Sequence, residues 1–598
     1  VTALAERILT VPRPRPRTST IVSYATIVAV LGLGVYSFVA LDYSFGNIAE
    51  TGGNLQRFLS MATPLQWPGW EVIGTPTADG TVFETTWVGF EPIWEVVESI
   101  LLTLALVIAG TALAAVLSIP VAYGAARNTS PGPAVVALCR GIGVVARAVP
   151  DMAIVVFLAF LWFDSGMLAA VTAIGLHSVG MISKMFADAI EQIDEGPRLA
   201  IRSAGGSKAQ EFWSGVVPQA LPAWIAVALH RADINLRGTV ILGVVGVAGL
   251  GYDLDEALHA GPSGMRRVLP LVLIIIALCI VFEIISSQLR SRLLGVEPTG
   301  RGIGDRVTRA ARRGSSPGPA PALTDAQRRA ARIEAAMHRP WDRSRVSNTL
   351  WVWLGIAVVV AAFAYTHPDV TAILRPQWEQ VQNPALDRSM WPLNFGSRTW
   401  ETVLAGVATT LQIAFAATLM TAIISAVVGP LSARNVAPNG FVRNLFRGIA
   451  LVLRAIPDLV VAIIFIIATG FGAQAATLAL GIGGVGLMAK LIGDSMEEVP
   501  GGPERALHAA GGTRTQVFFA STLPLSIPAL VSHLMYVVEQ NVRSATLLGV
   551  VGAGGIGFLL LSALQGRHFD QVMAYLLVII AMVVVVEAIS VLIRRALR

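Results

Sequence analysis

The chain has 598 residues, 54% hydrophobic and 14% charged, with a mean hydropathy of +0.66. Soluble domains carry roughly a quarter charged residues, so this composition excludes an ordinary globular protein and fits one crossing a bilayer many times. The net charge of +6 does not describe a nucleic-acid-binding domain, because no folded basic unit remains once the apolar runs are set aside.

In chain order, Arg7, Arg13, Arg15 and Arg17 precede a first apolar run from Ile21 to Leu41. That run exceeds the roughly 7–15 residues of a signal-peptide core and reads as a first membrane-spanning helix. Further spans are predicted at 97–126, 134–163, 166–190, 218–248 and 268–292. A second set follows at 349–366, 400–433, 441–470, 474–496, 524–554 and 571–594, each near the length that crosses a hydrocarbon core. After the first span of each set comes an external segment, holding Trp67, Trp70 and Trp87, then Trp378 and Trp391. These read as an interfacial aromatic belt, with the seating of an external partner as the alternative. The stretch from Arg290 to Arg345 is arginine-rich and contains SSPGPAPAL. It reads as a partly disordered tether with a short helix near Asp325–Met337. Basic residues beside spans mark the cytoplasmic side, so the tether and both termini are expected there. Cys139 and Cys279 lie in apolar stretches and form neither a disulfide framework nor a CxxC pair.

The chain is an internal duplication. RAVPD at Arg147–Asp151 returns as RAIPD at Arg454–Asp458, SAGGS at Ser203–Ser207 as AAGGT at Ala509–Thr513, and Asp233-Ile-Asn235-Leu-Arg237 as Glu539-Gln-Asn541-Val-Arg543. The offsets agree: 454−147 = 307, 511−205 = 306 and 541−235 = 306. The expected organisation is all-α and integral to the membrane: a six-helix half over 1–293, a cytoplasmic linker over 294–348 and a second six-helix half over 349–598.

After the fourth span of each half comes a polar loop, 191–222 and 497–528. Each has alanine-rich helical sequence, a glycine (Gly205, Gly511) and a proline thirteen residues later (Pro218, Pro524). Glycine permits the sharp turn between two short helices, and proline suits a first helical turn. These loops resemble the EAA loop of ABC importer permeases. The resemblance implies that Glu195, Ala200, Gly205 and Gly206, with Glu504, Ala506, Gly511 and Gly512, couple the chain to two ATPase subunits. The family's glutamate six residues before the glycine is replaced by Leu199 and Arg505, which leaves its salt bridge in question.

The Arg-Ala-Val/Ile-Pro-Asp element, GMISKMFADAIEQID from Gly180 to Asp194 and NVRSATLLGVVGAGGIGF from Asn541 to Phe558 resemble the phosphonate branch of these permeases. That resemblance implies a MetI-like core in a bacterial inner or plasma membrane and an extracytoplasmic phosphonate-binding protein as partner. ATP and Mg would sit on the ATPase subunits, with no cofactor on this chain. Phosphate, phosphite or another small solute is the alternative cargo.

Charges at membrane depth are costly and point to function. Arg147, Asp151, Asp233, Asn235 and Arg237, with Arg454, Asp458, Glu539, Asn541 and Arg543, are the candidate pathway residues. Spacing of four pairs Asp233 with Arg237, Glu539 with Arg543, and Arg147 with Asp151 on shared helix faces. Two readings stand: structural pairs that fix helix packing, or guanidinium groups that guide a small anion. Lys184, Asp188 and Glu191, with Lys490, Asp494 and Glu497, fall where the fourth spans lead into the loops.

Gly552-Ala-Gly554-Gly-Ile-Gly557 fits GxGxxG, but a dinucleotide site needs a βαβ unit. A break at the external mouth or close helix packing accounts for it better. There is no GxxxxGK[ST], so the chain cannot supply its own ATPase. No intramembrane cluster with metal-ligand spacing appears, and His177 faces Gly483 in the repeat; no catalytic or metal site is expected. A secondary transporter also uses repeats and midplane charge, but would leave the paired loops without a purpose.

Overall fold

The structure, a computed structural model, describes residues 18–43, 46–77, 80–162, 167–293, 343–383, 389–470 and 472–597. The N-terminal arginines and residues 294–342 of the expected linker lie outside the described residues.

The first half runs through α1 (Thr18–Ala40), α2 (Gly46–Ala62), a hairpin of β1 (Trp70–Thr77) and β2 (Gly80–Trp87), α3 (Glu91–Ala125), α4 (Pro133–Ala148), α5 (Asp151–Trp162) and α6 (Met167–Glu191). It continues through α7 (Glu195–Ser203), α8 (Lys208–Gly243), α9 (Leu250–His259) and α10 (Gly261–Leu293). The second half has α11 (Arg343–Thr366), the short α12 (Thr371–Leu374) and α13 (Trp378–Gln382), then α14 (Trp400–Ser432), α15 (Gly440–Ala455), α16 (Asp458–Thr469) and α17 (Ala473–Glu497). It ends with α18 (Gly501–Ala509), α19 (Arg514–Leu548), α20 (Gly555–Gln565) and α21 (Phe569–Ala596). Among the described residues ten helices are long and apolar enough to cross a membrane, or twelve when each of two bent pairs is one span. The protein is an all-α membrane protein.

The bent pairs are the predicted third spans. Proline lacks an N–H and biases the residue before it toward extended backbone. Val149 (ψ 119°) and Ile456 (ψ 126°) accordingly leave the helix. Each predicted span is therefore two helices: α4 meets α5 at 87° and α15 meets α16 at 81°. The predicted fifth spans also end early, at Gly243 and Leu548. The glycine-rich segment that follows is the break at the mouth: Gly246, Gly249, Gly552 and Gly554 take φ between 86° and 135°, and the chain reverses into α9 and α20. The reversal is tight, since a Cβ on Gly251 would stand 2.3 Å from the Val240 carbonyl oxygen and one on Gly557 2.1 Å from that of Thr546. Thr103 and Thr410 then accept hydrogen bonds at 3.0 Å from the Leu250 and Ile556 amides that open the new helices.

The hairpin of β1 and β2 is absent from the sequence-based expectations. Its strands pair in antiparallel register from Trp70↔Trp87 to Thr77↔Gly80. Val72-Ile73-Gly74-Thr75 and Val82-Phe83-Glu84-Thr85 flanking Asp79-Gly80 carry the β signal, short enough to be lost among long apolar runs. Arg266 lies over the Phe83 ring at 4.0 Å and ties the hairpin to α10.

The halves exchange their first helices: α1 packs on α14 and α19, and α11 packs on α3. Tyr43, just beyond α1, meets the Thr477 hydroxyl and donates to the Ala473 carbonyl at 3.3 Å. Burial pushes its phenol up to about 12, so it remains a donor. Gly34 lets α1 approach α14, where a Cβ would stand 2.6 Å from Leu419 Cβ and 3.0 Å from the Phe415 carbonyl oxygen. Gly34→Leu is expected to cost about 1–3 kcal/mol by overpacking, read as a lower thermal midpoint of the purified protein. A midpoint equal to that of the parent chain would show that the exchange does not hold the halves together.

Candidate functional site

The breaks at Pro150 and Pro457 place Arg147 at the end of α4 and Arg454 at the end of α15. Gly180 and Gly486 let these helices press against α6 and α17: a Cβ would lie 2.5 Å from Arg147 Cγ in one half and 2.5 Å from the Arg454 amide nitrogen in the other. Both arginines thereby reach the seam between the halves.

There, Arg237 on α8 holds Asp233 through two hydrogen bonds of 2.8 and 3.0 Å and donates to the Arg454 carbonyl at 2.6 Å. Arg454 lies 3.8 Å from Asp233 and Glu283 lies 3.9 Å from Arg237. Across the seam Glu587 on α21 sits between Arg147 at 3.4 Å and Arg543 at 3.5 Å. Arg147 also donates to the Gly180 carbonyl at 3.0 Å. The carboxylates of Asp233 and Glu587 are 4% exposed, whereas the four arginines are 12–22% exposed. Asp233 and Glu587 are therefore more deeply buried than the guanidinium groups around them.

Of the three i,i+4 pairs expected, Asp233 with Arg237 forms. The other two are corrected. Glu539 pairs with Arg594 at 2.5 Å instead of Arg543, because α21 brings that arginine closer. The helix break swings Arg147 away from Asp151, whose carboxylate accepts the Met152 amide at 2.9 Å at the start of α5. Asp458 is the first residue of α16 and faces Gly483, where a Cβ would stand 2.8 Å from its oxygen. Asn235 and Asn541 do not join the charges. They are buried and donate at 2.9 Å to Thr111 and Thr418, tying α8 to α3 and α19 to α14. Glu587, Glu283 and Arg594 were missed, although the signal was visible: Glu283 and Glu587 are lone acids in otherwise apolar terminal spans at matching places.

At the other end of α6 and α17, Glu191 takes Arg140 at 3.1 Å and Glu497 takes Arg447 at 2.8 Å. Each also accepts a backbone amide, from Arg127 and Arg434. In the loops that follow, Gly205 and Gly511 have φ of 79° and 82° with open space around them, so left-handed backbone alone demands glycine there. Gly206 and Gly512 donate at 2.9 Å to the Ile201 and Leu507 carbonyls and close α7 and α18. Ser207 and Thr513 start the next helices with capping boxes to Gln210 and Gln516. Those helices run through Pro218 and Pro524 instead of beginning there, because a π-helical stretch before each proline shifts the bonding by one residue.

The missing family glutamate is replaced differently in the two loops. Asn128 donates at 3.0 Å to Glu195, and Asn435 donates at 3.0 Å to Glu504. In the first half Arg198 is buried between Glu195 at 3.0 Å and Glu211 at 2.5 Å. In the second, Glu504 occupies the place of Arg198 and also accepts from Thr522 at 2.6 Å. Ala200 and Ala506 are exposed, as are Leu199, Arg505 and both turn glycines, so the two loops present open faces. Among the described residues no three His, Cys, Asp or Glu side chains converge to hold a metal ion.

Residues 118–295 and 425–598 match the family described as binding-protein-dependent transport system inner membrane component. The chain is 37% identical over 489 residues to the phosphate-import permease protein PhnE of Mycolicibacterium smegmatis, covering 82% of this chain and 83% of that protein. It is 40% identical over 189 residues to the phosphite transport system permease protein PtxC of Stutzerimonas stutzeri, covering 31% of this chain and 67% of that one. Over 122 residues it is 37% identical to an Escherichia coli protein named for a cryptic phosphonate transport system, covering 20% of this chain and 98% of that protein.

Glu504→Ala leaves Asn435 and Thr522 without their shared acceptor, a loss of about 1–3 kcal/mol. Amide exchange over 501–513 is expected to rise, measured by mass spectrometry, while exchange in the first-half loop stays at the parent level. Unchanged protection in the second loop would show that Glu504 does not anchor it.

Proposed function

The chain belongs to the family of binding-protein-dependent transport system inner membrane components, and from that premise we propose that it forms the pathway of an ATP-driven importer for small phosphorus oxyanions, phosphonates foremost. It is a transporter subunit and not an enzyme. The observation that carries the cargo class is the set of partly open arginines at the seam, backed by buried carboxylates. A planar guanidinium fork suits a tetrahedral oxyanion, and arginines partly neutralised by carboxylates hold such an anion weakly enough to release it. Phosphate is the second reading, favoured by the printed name of the relative covering 82% of the chain.

In this reading the two exposed loops dock two ATPase subunits, with Gly205 and Gly511 setting the turn each subunit meets. Those subunits carry the ATP and Mg. An extracytoplasmic binding protein delivers the anion at the opposite face. The chain divides into halves at 1–293 and 349–598 with the linker between them, and sits in a bacterial inner or plasma membrane with both termini cytoplasmic. The arginine-rich sequence beside the spans supports that orientation.

Uptake of labelled 2-aminoethylphosphonate by cells with and without the gene tests this, with unlabelled phosphate, phosphite and methionine as competitors. Uptake is expected to disappear on deletion, and only the phosphorus oxyanions should compete. Competition by phosphate far stronger than by phosphonates would move the cargo to phosphate, and competition by methionine alone would end the oxyanion reading.

A further inference from the structure

The two charge clusters at the seam occupy equivalent places in the repeat but differ in chemistry. The first contains Arg147 and Arg543 around Glu587, with Arg231 within electrostatic reach of Asp151 and of Arg543. By residue count these are three arginines and two acids. The second contains Arg237 and Arg454 with Asp233 and Glu283, and Asp458 within reach of Arg237. By residue count those are two arginines and three acids. The difference has named sources. Arg231 of the first cluster corresponds to Val537, since 537−231 = 306, and His177 corresponds to Gly483, since 483−177 = 306. Glu539 turns out of the first cluster to Arg594, whereas its counterpart Asp233 stays in the second.

The bonding differs in the same sense. In the second cluster the terminal nitrogens of Arg237 are filled by Asp233 and the Arg454 carbonyl. In the first, the Arg543 guanidinium is 12% exposed and donates no hydrogen bond among the described residues, its contact being Glu587 at 3.5 Å. Glu587 Oε2 is buried and likewise without a hydrogen bond. Charge-assisted pairs bond at about 2.7–2.9 Å, so this carboxylate holds two guanidinium groups loosely and tightly satisfies neither.

We propose that the pathway binds its anion on one side of the seam: Arg147 and Arg543 form a cradle for a tetrahedral phosphorus oxyanion with Glu587 as the counter-ion it displaces, while Arg237, bonded to Asp233 and to the Arg454 carbonyl, is a structural latch. The proposal rests on the cargo being a phosphorus oxyanion. An arriving anion meets more arginines than acids, and unfilled donors on Arg543, in the first cluster. In the second it would have to break a two-bond ion pair where acids outnumber arginines. When the anion leaves, Glu587 returns between the arginines, so neither charge state leaves a guanidinium without a partner.

The test uses the full chain assembled with its ATPase subunits, with retention of radiolabelled phosphate by the purified complex as readout. Glu587→Gln removes the counter-ion and keeps every arginine, so retention is expected to tighten about ten-fold. Asp233→Asn should change it several-fold less. Uptake is then compared for two charge-balanced pairs, Arg543→Gln with Glu587→Gln and Arg237→Gln with Asp233→Asn. The first pair should lower uptake about ten-fold more than the second. Should that first pair fail to assemble by size exclusion, the Glu587→Gln retention result decides alone. Equal responses of the two clusters, or a larger response at Asp233 and Arg237, would overturn the proposal while leaving the oxyanion importer intact. A parent complex that retains no phosphate and cells whose uptake ignores phosphorus oxyanions would overturn both.

Discussion

A charge placed at membrane depth has to find a partner, and in this protein two of the partnerships join the halves. Removing one member of a buried ion pair costs about 3–5 kcal/mol, comparable to much of a domain's net stability. Arg147 on α4 reaches Glu587 on α21, and Arg454 on α15 lies against Asp233 on α8. Each bond crosses from one half to the other. The halves therefore cannot be packed first and charged later, because the ionic contacts are part of what brings α4, α8, α15 and α21 to one seam. The proline breaks and the glycines of α6 and α17 are the geometric means to that end. Without Pro150 and Pro457 the arginines would continue along a straight span, and with side chains at Gly180 and Gly486 their helices would be pushed away.

Around that seam the scaffold is conservative between the repeats. Asn235 and Asn541 use the same bond to Thr111 and Thr418, and Thr103 and Thr410 cap the reversed helices in the same way. The exchanged helices α1 and α11 bind each half to the other from outside, in directions unrelated to the charges. Differences gather at the seam and in the two polar loops: Arg231 against Val537, His177 against Gly483, and Glu195 against Glu504 as the acid that meets the asparagine. A shared scaffold with divergent sites is what a duplicated functional unit gives once its copies are free to drift.

The membrane class, the duplication and the long helices were legible because hydrophobic length and repeated strings are properties of the chain alone. Gly205 and Gly511 were legible for a similar reason, since their φ follows from the local turn. Pair partners were not. Spacing of four proposed Glu539 with Arg543, but Arg594 lies 55 residues away in sequence and its approach depends on how α21 packs on α19. Glu587 escaped because nothing next to it in sequence answers its charge. The two right-angle breaks fall inside what the sequence presents as single spans, since proline's missing donor fixes where a helix is interrupted and packing fixes how far it turns. The hairpin was hidden by scale, eight-residue strands being a faint signal beside thirty-residue spans.

Fusion has a physical consequence beyond a fixed ratio of halves. Two copies of one subunit related by a two-fold axis must carry the same residues at each of their two seam clusters, so an arginine-rich cluster opposite an acid-rich one is closed to them. Joining two diverged copies in one chain makes such a polarity permanent, because the half with Arg231 always meets the half with Glu587. The two polar loops inherit the same asymmetry. One loop is anchored through Glu195 with Arg198 beside it and exposes Leu199, and the other is anchored through Glu504 and exposes Arg505. Whatever binds these two loops meets two different surfaces, so the two sides of the pathway need not answer it equally, and the side carrying the open arginines is always joined to the same loop.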